Sequence, residues 1–216
     1  MTSWTQSRIV LPLVIACLAV VVLIWFPLFH IVPLKKAVAE EAAVTFNPTK
    51  FAQIFWTNQL LPSATKAIPA EKLLSLIETN AAVAKTNYSR SLGLDESYFY
   101  FLTGTGRVTA VSDDEVSLNV TGHGTNAEVS LQTSLIFGNA LRDGTGLLNV
   151  NDYPNSQDFN GISEALNHLV ETRVLPGLRQ QAKIGATISF AGCAEVDDES
   201  TDLQPLKVIP IETQTK

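Results

Sequence analysis

The apolar positions of this chain change their period three times, and each change predicts a different element. From Ile9 to Phe29 the run IVLPLVIACLAVVVLIWFPLF carries no charge over 21 residues. At about 1.5 Å per residue it matches the ~30 Å of a bilayer's hydrocarbon. Trp25, Phe26 and Phe29 suit an aromatic interface belt at its end. Apolar residues then fall on helical spacing. Asn47-Pro48 supplies a cap and a first-turn proline, and Phe51, Ile54, Phe55 and Leu61 share a face up to Pro62. A second start at Pro69 leads into Leu73, Leu74, Ile77, Ala81 and Ala84, so a helical hairpin is expected over about 48–90.

After Gly93 the period becomes two. YFYFLTGTGRVTAV (98–111), EVSLNVTG (115–122) and AEVSLQTSLIF (127–137) read as strands joined at Asp113-Asp114 and at His123-Gly124-Thr125-Asn126. A helix is expected near 159–175, and ATISFAGCAEV (186–196) and PLKVIPIET (205–213) read as two more strands around the acidic loop DDESTD. Three strands, a helix and two strands is the element order of an OB-type five-stranded barrel. The expected fold is therefore α+β. It has a transmembrane anchor (1–30), a linker (31–47), a small helical hairpin subdomain (48–92) and an OB-like barrel domain with one helix (93–216).

The anchor has a rival reading. Val14-Ile15-Ala16-Cys17 resembles a lipobox, in which Cys17 would be lipidated, but twelve apolar residues would remain beyond it. The run also exceeds a cleavable signal's apolar core, and no A-x-A site follows. A retained single-pass span is expected. Arg8 before it and Lys35-Lys36 after it nearly balance the positive-inside count. An extracytoplasmic C-terminal domain, at the inner membrane with its bulk on the periplasmic side, is the preferred orientation.

Charge narrows the partner classes. The net charge is −6, and residues 97–216 hold seven Lys/Arg against fifteen Asp/Glu. Binding to a polyanion needs clustered cations that release counterions. The strands over 115–122 and 127–137 hold no Lys or Arg, and Phe137 is their only aromatic. Nucleic acid is not an expected partner; a membrane is. Cys193 is the only cysteine beyond the apolar run, and His30, His123 and His168 are far apart. Neither a disulfide, a metal site nor a cofactor is expected.

Two short motifs bear on chemistry. Ser63-Ala64-Thr65-Lys66 fits S-x-x-K but lacks the S-D-N and K-T-G companions of acyl-transfer enzymes. The glycine pairs 104/106, 122/124 and 144/146 complete no G-x-G-x-x-G and read as bends and turns. The densest polar stretch is FGNALRDGTGLLNVNDYPNSQDF (137–159). Arg142-Asp143-Gly144 suggests a paired turn, the carboxylate capping backbone N–H groups and the guanidinium fanning over carbonyls. The alternative is a polar recognition patch of Asn139, Arg142, Asp143, Asn151, Asp152 and Tyr153. A catalytic role is the weakest reading, since no third group activates the pair.

Several segments carry a resemblance. FHIVPL (29–34), FAQIFWTNQLLP (51–62), YSRSLG (88–93) before GTGRV (104–108), and the 137–159 stretch followed by ALN (165–167) resemble the predicted periplasmic lipoproteins called domain of unknown function 2291. The resemblance runs from about residue 30 to 213. It implies a helical part beside an OB-like barrel, and a gene setting beside sugar ABC transporters whose subunits would be partners. It assigns no activity and no site residues. Family members usually carry the lipidated cysteine just before the IVPL-type segment, where this chain has Phe29-His30. A membrane-anchored accessory or binding protein, not an enzyme, is therefore expected. An envelope hydrolase or transferase using Arg142-Asp143, or a purely structural envelope protein, stands as the alternative.

Overall fold

The computed structural model describes residues 46–91, 97–153 and 155–216. The expected membrane span and the Cys17 lipobox lie outside the described residues. Among those described, no helix is long and apolar enough to cross a membrane.

The first helix, α1 (Pro48–Phe55), starts as its sequence requires: the Asn47 side chain accepts from the Lys50 N–H at 2.9 Å and Pro48 occupies the first turn. It does not stop at Pro62. A π segment, Trp56–Leu60, carries it into a further turn, Leu61–Ser63, that contains the proline. The second long helix repeats the device. α4 (Ser156–Leu169) widens into a π segment, Val170–Val174, directly before Leu175-Pro176, and continues as α5 (Leu175–Gln181). A proline inside a helix lacks a donor and its ring crowds the carbonyl four residues back. Widening the preceding turn lets the helix run on past it. The helix expected to end near 175 therefore ends at 181.

Between these lie β1 (Ile68–Pro69), α2 (Ala70–Tyr88) and β2 (Ser89–Arg90). α2 is kinked at Asn80, whose extended backbone interrupts the helix and whose side chain caps the next turn by accepting from Val83 N–H. The sheet comprises β3 (Tyr98–Val111), β4 (Glu115–Asn119), β5 (Val129–Gln132), β6 (Thr187–Val196) and β7 (Leu206–Thr215), with β1 and β2 added along β3. A short α3 (Ala140–Asp143) sits between β5 and α4.

Five strands close into a ring in the order β3-β4-β5-β7-β6, and β6 returns to pair with β3 over ten residues from Tyr98↔Val196 to Arg107↔Thr187. The β5–β7 pair is parallel and the other four contacts of the ring are antiparallel. This is the connectivity of a five-stranded Greek-key barrel with a helix inserted after the third strand. Leu102, Val116, Leu118, Val129, Leu131, Ile188 and Val208 are fully removed from solvent within it.

The two N-terminal helices meet the barrel separately. α1 packs chiefly on α4, whereas α2 packs on β3. Residues 46–216 form one compact unit with one continuous core, which spans both sides of the expected 92/93 boundary. Two strands are shorter than the alternating pattern predicts, for visible reasons. The Glu128 carboxylate accepts from the N–H groups of Val120 (2.6 Å) and Thr121 (2.8 Å), removing those donors from the ladder after β4. Beyond β5, the N–H groups of Thr133 and Ser134 donate to Asp114 O at the β3–β4 turn (2.8 and 3.3 Å), and other polar groups of 133–138 go to a helix. Arg179 donates to Thr133 O, Ile136 N–H donates to Glu171 (3.0 Å), and Asn167 donates to Gly138 O (3.1 Å).

Closure demands close approach at one point. The β6–β7 register shifts between Ala191 and Gly192, and a Cβ on Gly192 would overlap the Ile209 carbonyl oxygen and lie 2.6 Å from Val208 Cγ1. The oxygen belongs to backbone and cannot swing aside. Gly192→Ala is expected to cost about 1–3 kcal/mol as overpacking, read as a lower urea midpoint at unchanged slope.

Candidate functional site

Arg142 and Asp143 are adjacent in sequence and both lie in the interior, with side chains 7% and 5% exposed. α3 places them there, turning once between the 133–138 segment and the loop to α4. The guanidinium grips the carboxylate through two parallel bonds, Nε to Oδ1 at 2.6 Å and Nη2 to Oδ2 at 2.8 Å. Its remaining nitrogen, Nη1, donates to Asn160 Oδ1 at 2.9 Å and to Phe159 O at 3.4 Å. Its plane lies 3.9 Å from the Phe159 ring centroid. Bidentate pairing and stacking on an aromatic face are what arginine offers a buried site.

The expected turn is thus corrected in its wiring. The carboxylate is spent on the guanidinium, while the backbone N–H groups of Asp143 and Gly144 bond to Asn139 O (2.9 Å) and Ala140 O (2.8 Å). The arginine does reach a carbonyl, but mainly it holds its neighbour and α4.

None of the six candidate residues lines the clefts described below. Asn139 flanks α3 at its N-terminus without a side-chain cap. Asn151 and Asp152 are exposed on a 3-10 turn (Val150–Asp152) that Asn149 caps from outside, accepting from Asn151 N–H at 3.0 Å. Tyr153 instead joins an aromatic cluster with Phe46, Phe51 and Phe159 at centroid distances of 5.1–5.9 Å. Arg142 and Tyr153 therefore meet only through Phe159. Asn155, further along, caps α4 by accepting from Asp158 N–H at 2.7 Å.

One charged group beside the pair was not legible in the sequence. Glu195 stands in the apolar strand β6, half-buried and beneath the turn at Gly138. Burial, followed by the negative charges of Asp197 and Asp143, pushes its carboxyl above the usual range, with Arg142 pulling the other way. Its only sequence signal was a carboxylate interrupting ATISFAGCAEV. Cys193, on the same strand, is fully buried, and burial raises its thiol far above the ordinary value. Ser63 of the S-x-x-K motif donates to Leu60 O at 2.6 Å and completes its helical turn.

The open space lies elsewhere. One cleft of about 610 Å³ runs between α2 and the β4–β5 loop and is lined by Glu71, Glu78, His123, Asn126 and Glu128 over an apolar floor of Leu74, Ile77 and Leu203. Burial by itself would raise Glu128, but the hydroxyl and N–H of Thr121 and the N–H of Val120 outweigh it and hold its carboxyl low. A second cleft of about 570 Å³ is lined by Arg107, Thr109, Asn119 and the glycines 122, 124 and 185. Among the described residues, no group of three or more His, Cys, Asp or Glu is placed to hold a metal.

Two outcomes follow from this wiring. Asp143→Ala leaves a buried guanidinium uncompensated and is expected to cost about 3–5 kcal/mol, whereas the double change Arg142→Met with Asp143→Leu recovers most of that loss; urea denaturation of the three variants measures it. Because the Glu195 carboxyl is raised in the folded chain, ionising it opposes folding. Its penalty is absent below the ordinary carboxylate range and enters as pH rises through the raised value. Glu195→Gln should therefore be more stable than the parent at pH 8 and equal to it at pH 3.5, as followed by denaturant midpoints.

Comparison with known proteins fits this architecture. The crystal structure of an OB-fold protein from Thermotoga maritima superposes with a TM-score of 0.71 at 22% identity, covering 80% of this chain and 99% of that one. At that identity the likeness shows the fold alone. No curated protein matches the chain. A family model described as a predicted periplasmic lipoprotein matches residues 19–214, nearly the whole barrel and its helices. The chain belongs to this DUF2291 family of predicted periplasmic lipoproteins.

Proposed function

We propose that this chain is an extracytoplasmic accessory or binding module held at the inner membrane, with no catalytic activity of its own, serving sugar uptake by an ABC transporter. The observation that carries the reading is the family match over residues 19–214, whose description is that of a periplasmic lipoprotein. The uncharged run Ile9–Phe29 supports tethering through the chain itself. The Arg142–Asp143 wiring supports a non-catalytic role: the two groups that would serve a hydrolase or transferase are bonded to each other out of solvent. The larger of the two clefts described offers carboxylate, amide and imidazole groups over an apolar floor. Such a lining suits a hydroxyl-bearing ligand or a partner's polar surface better than a reacting centre.

The transporter link is tested by purifying the whole chain from its own membranes in mild detergent. Permease or ATPase subunits of a sugar transporter are expected to copurify, and deletion of the gene should lower uptake of that transporter's sugar several-fold. Unaltered uptake together with no transporter subunit in the purified material refutes the link.

A further inference from the structure

Three short segments that carry no chemistry on their own come together in a cleft of about 340 Å³, distinct from those described above. Ser63 and Lys66 come from the turn after α1, Tyr88 and Arg90 from the end of α2 and from β2, and Thr145 and Gly146 from the loop that follows α3. Among the described residues the lining contains two cations, Lys66 and Arg90, and no carboxylate. The chain's net charge is −6, and its 610 Å³ cleft is lined by three glutamates. Lys72, outside the lining, places its Nζ 5.0 Å from the centroid of the Tyr88 ring.

The arginine is seated by the loop beneath it. Pairing of Ser89-Arg90 with Phe99-Tyr100 fixes its backbone on the sheet. Gly146 has φ +65°, and a Cβ there would overlap Nη1, Cζ and Nε of Arg90. The guanidinium thus occupies space that only glycine leaves free. Among the described residues, neither Arg90 nor Lys66 has an ion-pair partner, whereas the buried Arg142 a few residues from this loop is fully paired. Thr145 accepts from Leu147 N–H at 3.3 Å and keeps its own hydroxyl proton to give. Unlike Arg142, Lys66 and Arg90 are exposed, and Thr145, itself buried, lines the same cleft.

We propose that this cleft binds a single phosphate-type oxyanion through Arg90 and Lys66, with Thr145 as a neutral donor. A planar guanidinium fork and a mobile ammonium are complementary to tetrahedral oxyanions. With no carboxylate among the described lining residues, their field is uncancelled there, and two cations match the charge of a single phosphoryl group. The same group is presented by a free phosphorylated metabolite and by a phospholipid headgroup beside the membrane, and the two differ in substitution: monoester or inorganic phosphate against a diester.

The test is calorimetric titration of the whole chain in a phosphate-free maltoside detergent, with inorganic phosphate in one arm and glycerophosphoglycerol in the other. Saturable binding in either arm is expected. Lys66→Ala and Arg90→Ala should each weaken it at least tenfold, and Arg90→Lys should restore only part of the loss. Binding of inorganic phosphate alone identifies a free metabolite as the source, and binding of the diester identifies the headgroup. Both variants replace exposed side chains, so unfolding midpoints matching the parent's verify that folding is intact. No binding in both arms, or binding that survives the double variant, overturns the assignment. Neither result bears on whether transporter subunits copurify, so this site and the proposed function fail separately.

Discussion

The barrel depends on β3 pairing along both of its edges. Fourteen residues long, it bonds to β4 near its end and to β6 over ten residues, while β1 and β2 lie along its first half. One strand that serves both neighbours must curl, and its curl brings the sheet's last strands back to its first. Gly104 sits where α2 begins to cross the strand, and a Cβ there would lie 2.8 Å from Ala70 Cβ and 3.1 Å from the Phe190 ring. The bend, the helix docking and the closure are therefore one geometric solution. A closed ring leaves no sheet edge within it to satisfy, and that frees the loops between strands to carry clefts.

Around that ring the long α4–α5 helix clamps the segment after β5, whose first N–H groups are held by Asp114 O. Asn167, Glu171 and Arg179 reach residues 138, 136 and 133 in turn, so helix side chains replace a missing strand partner. Buried backbone groups need partners wherever they come from. Arg142 extends the same logic by tying α3 to Asp143, Asn160 and the Phe159 ring. A buried ion pair is a weak contributor to net stability, yet breaking it is costly; its effect here is to hold α3 and the start of α4 in one arrangement. That arrangement positions Gly144-Thr145-Gly146, and through Gly146 the seat of Arg90.

Much of the fold was legible in the sequence because its signals are local. The cap at Asn47-Pro48, the restart at Pro69, the period-two runs at 98–111 and 186–196, and the order of strands around one helix all arise from neighbours within a few residues. The misread boundaries share one cause. Pro62 and Pro176 look like stops, but whether a helix breaks or widens at proline depends on what packs against the next turn. The strand patterns beyond 119 and 132 are sound as patterns. They lose their ladders because Glu128 and the α4–α5 side chains, distant in sequence, bind those backbone groups first.

The site was legible in composition and not in geometry. The sequence alone identified Arg142-Asp143 as a conspicuous pair, bounded the partners by charge, and carried the motifs of the family. Only the tertiary structure decided that the pair faces inward onto itself and Phe159, that Tyr153 belongs to an aromatic cluster, and that Lys66, Arg90 and Gly146 meet in one cleft. The physical reason is that hydrophobic period and turn chemistry act between near neighbours, whereas burial, ion pairing and the convergence of side chains depend on which distant segments the closed barrel brings side by side.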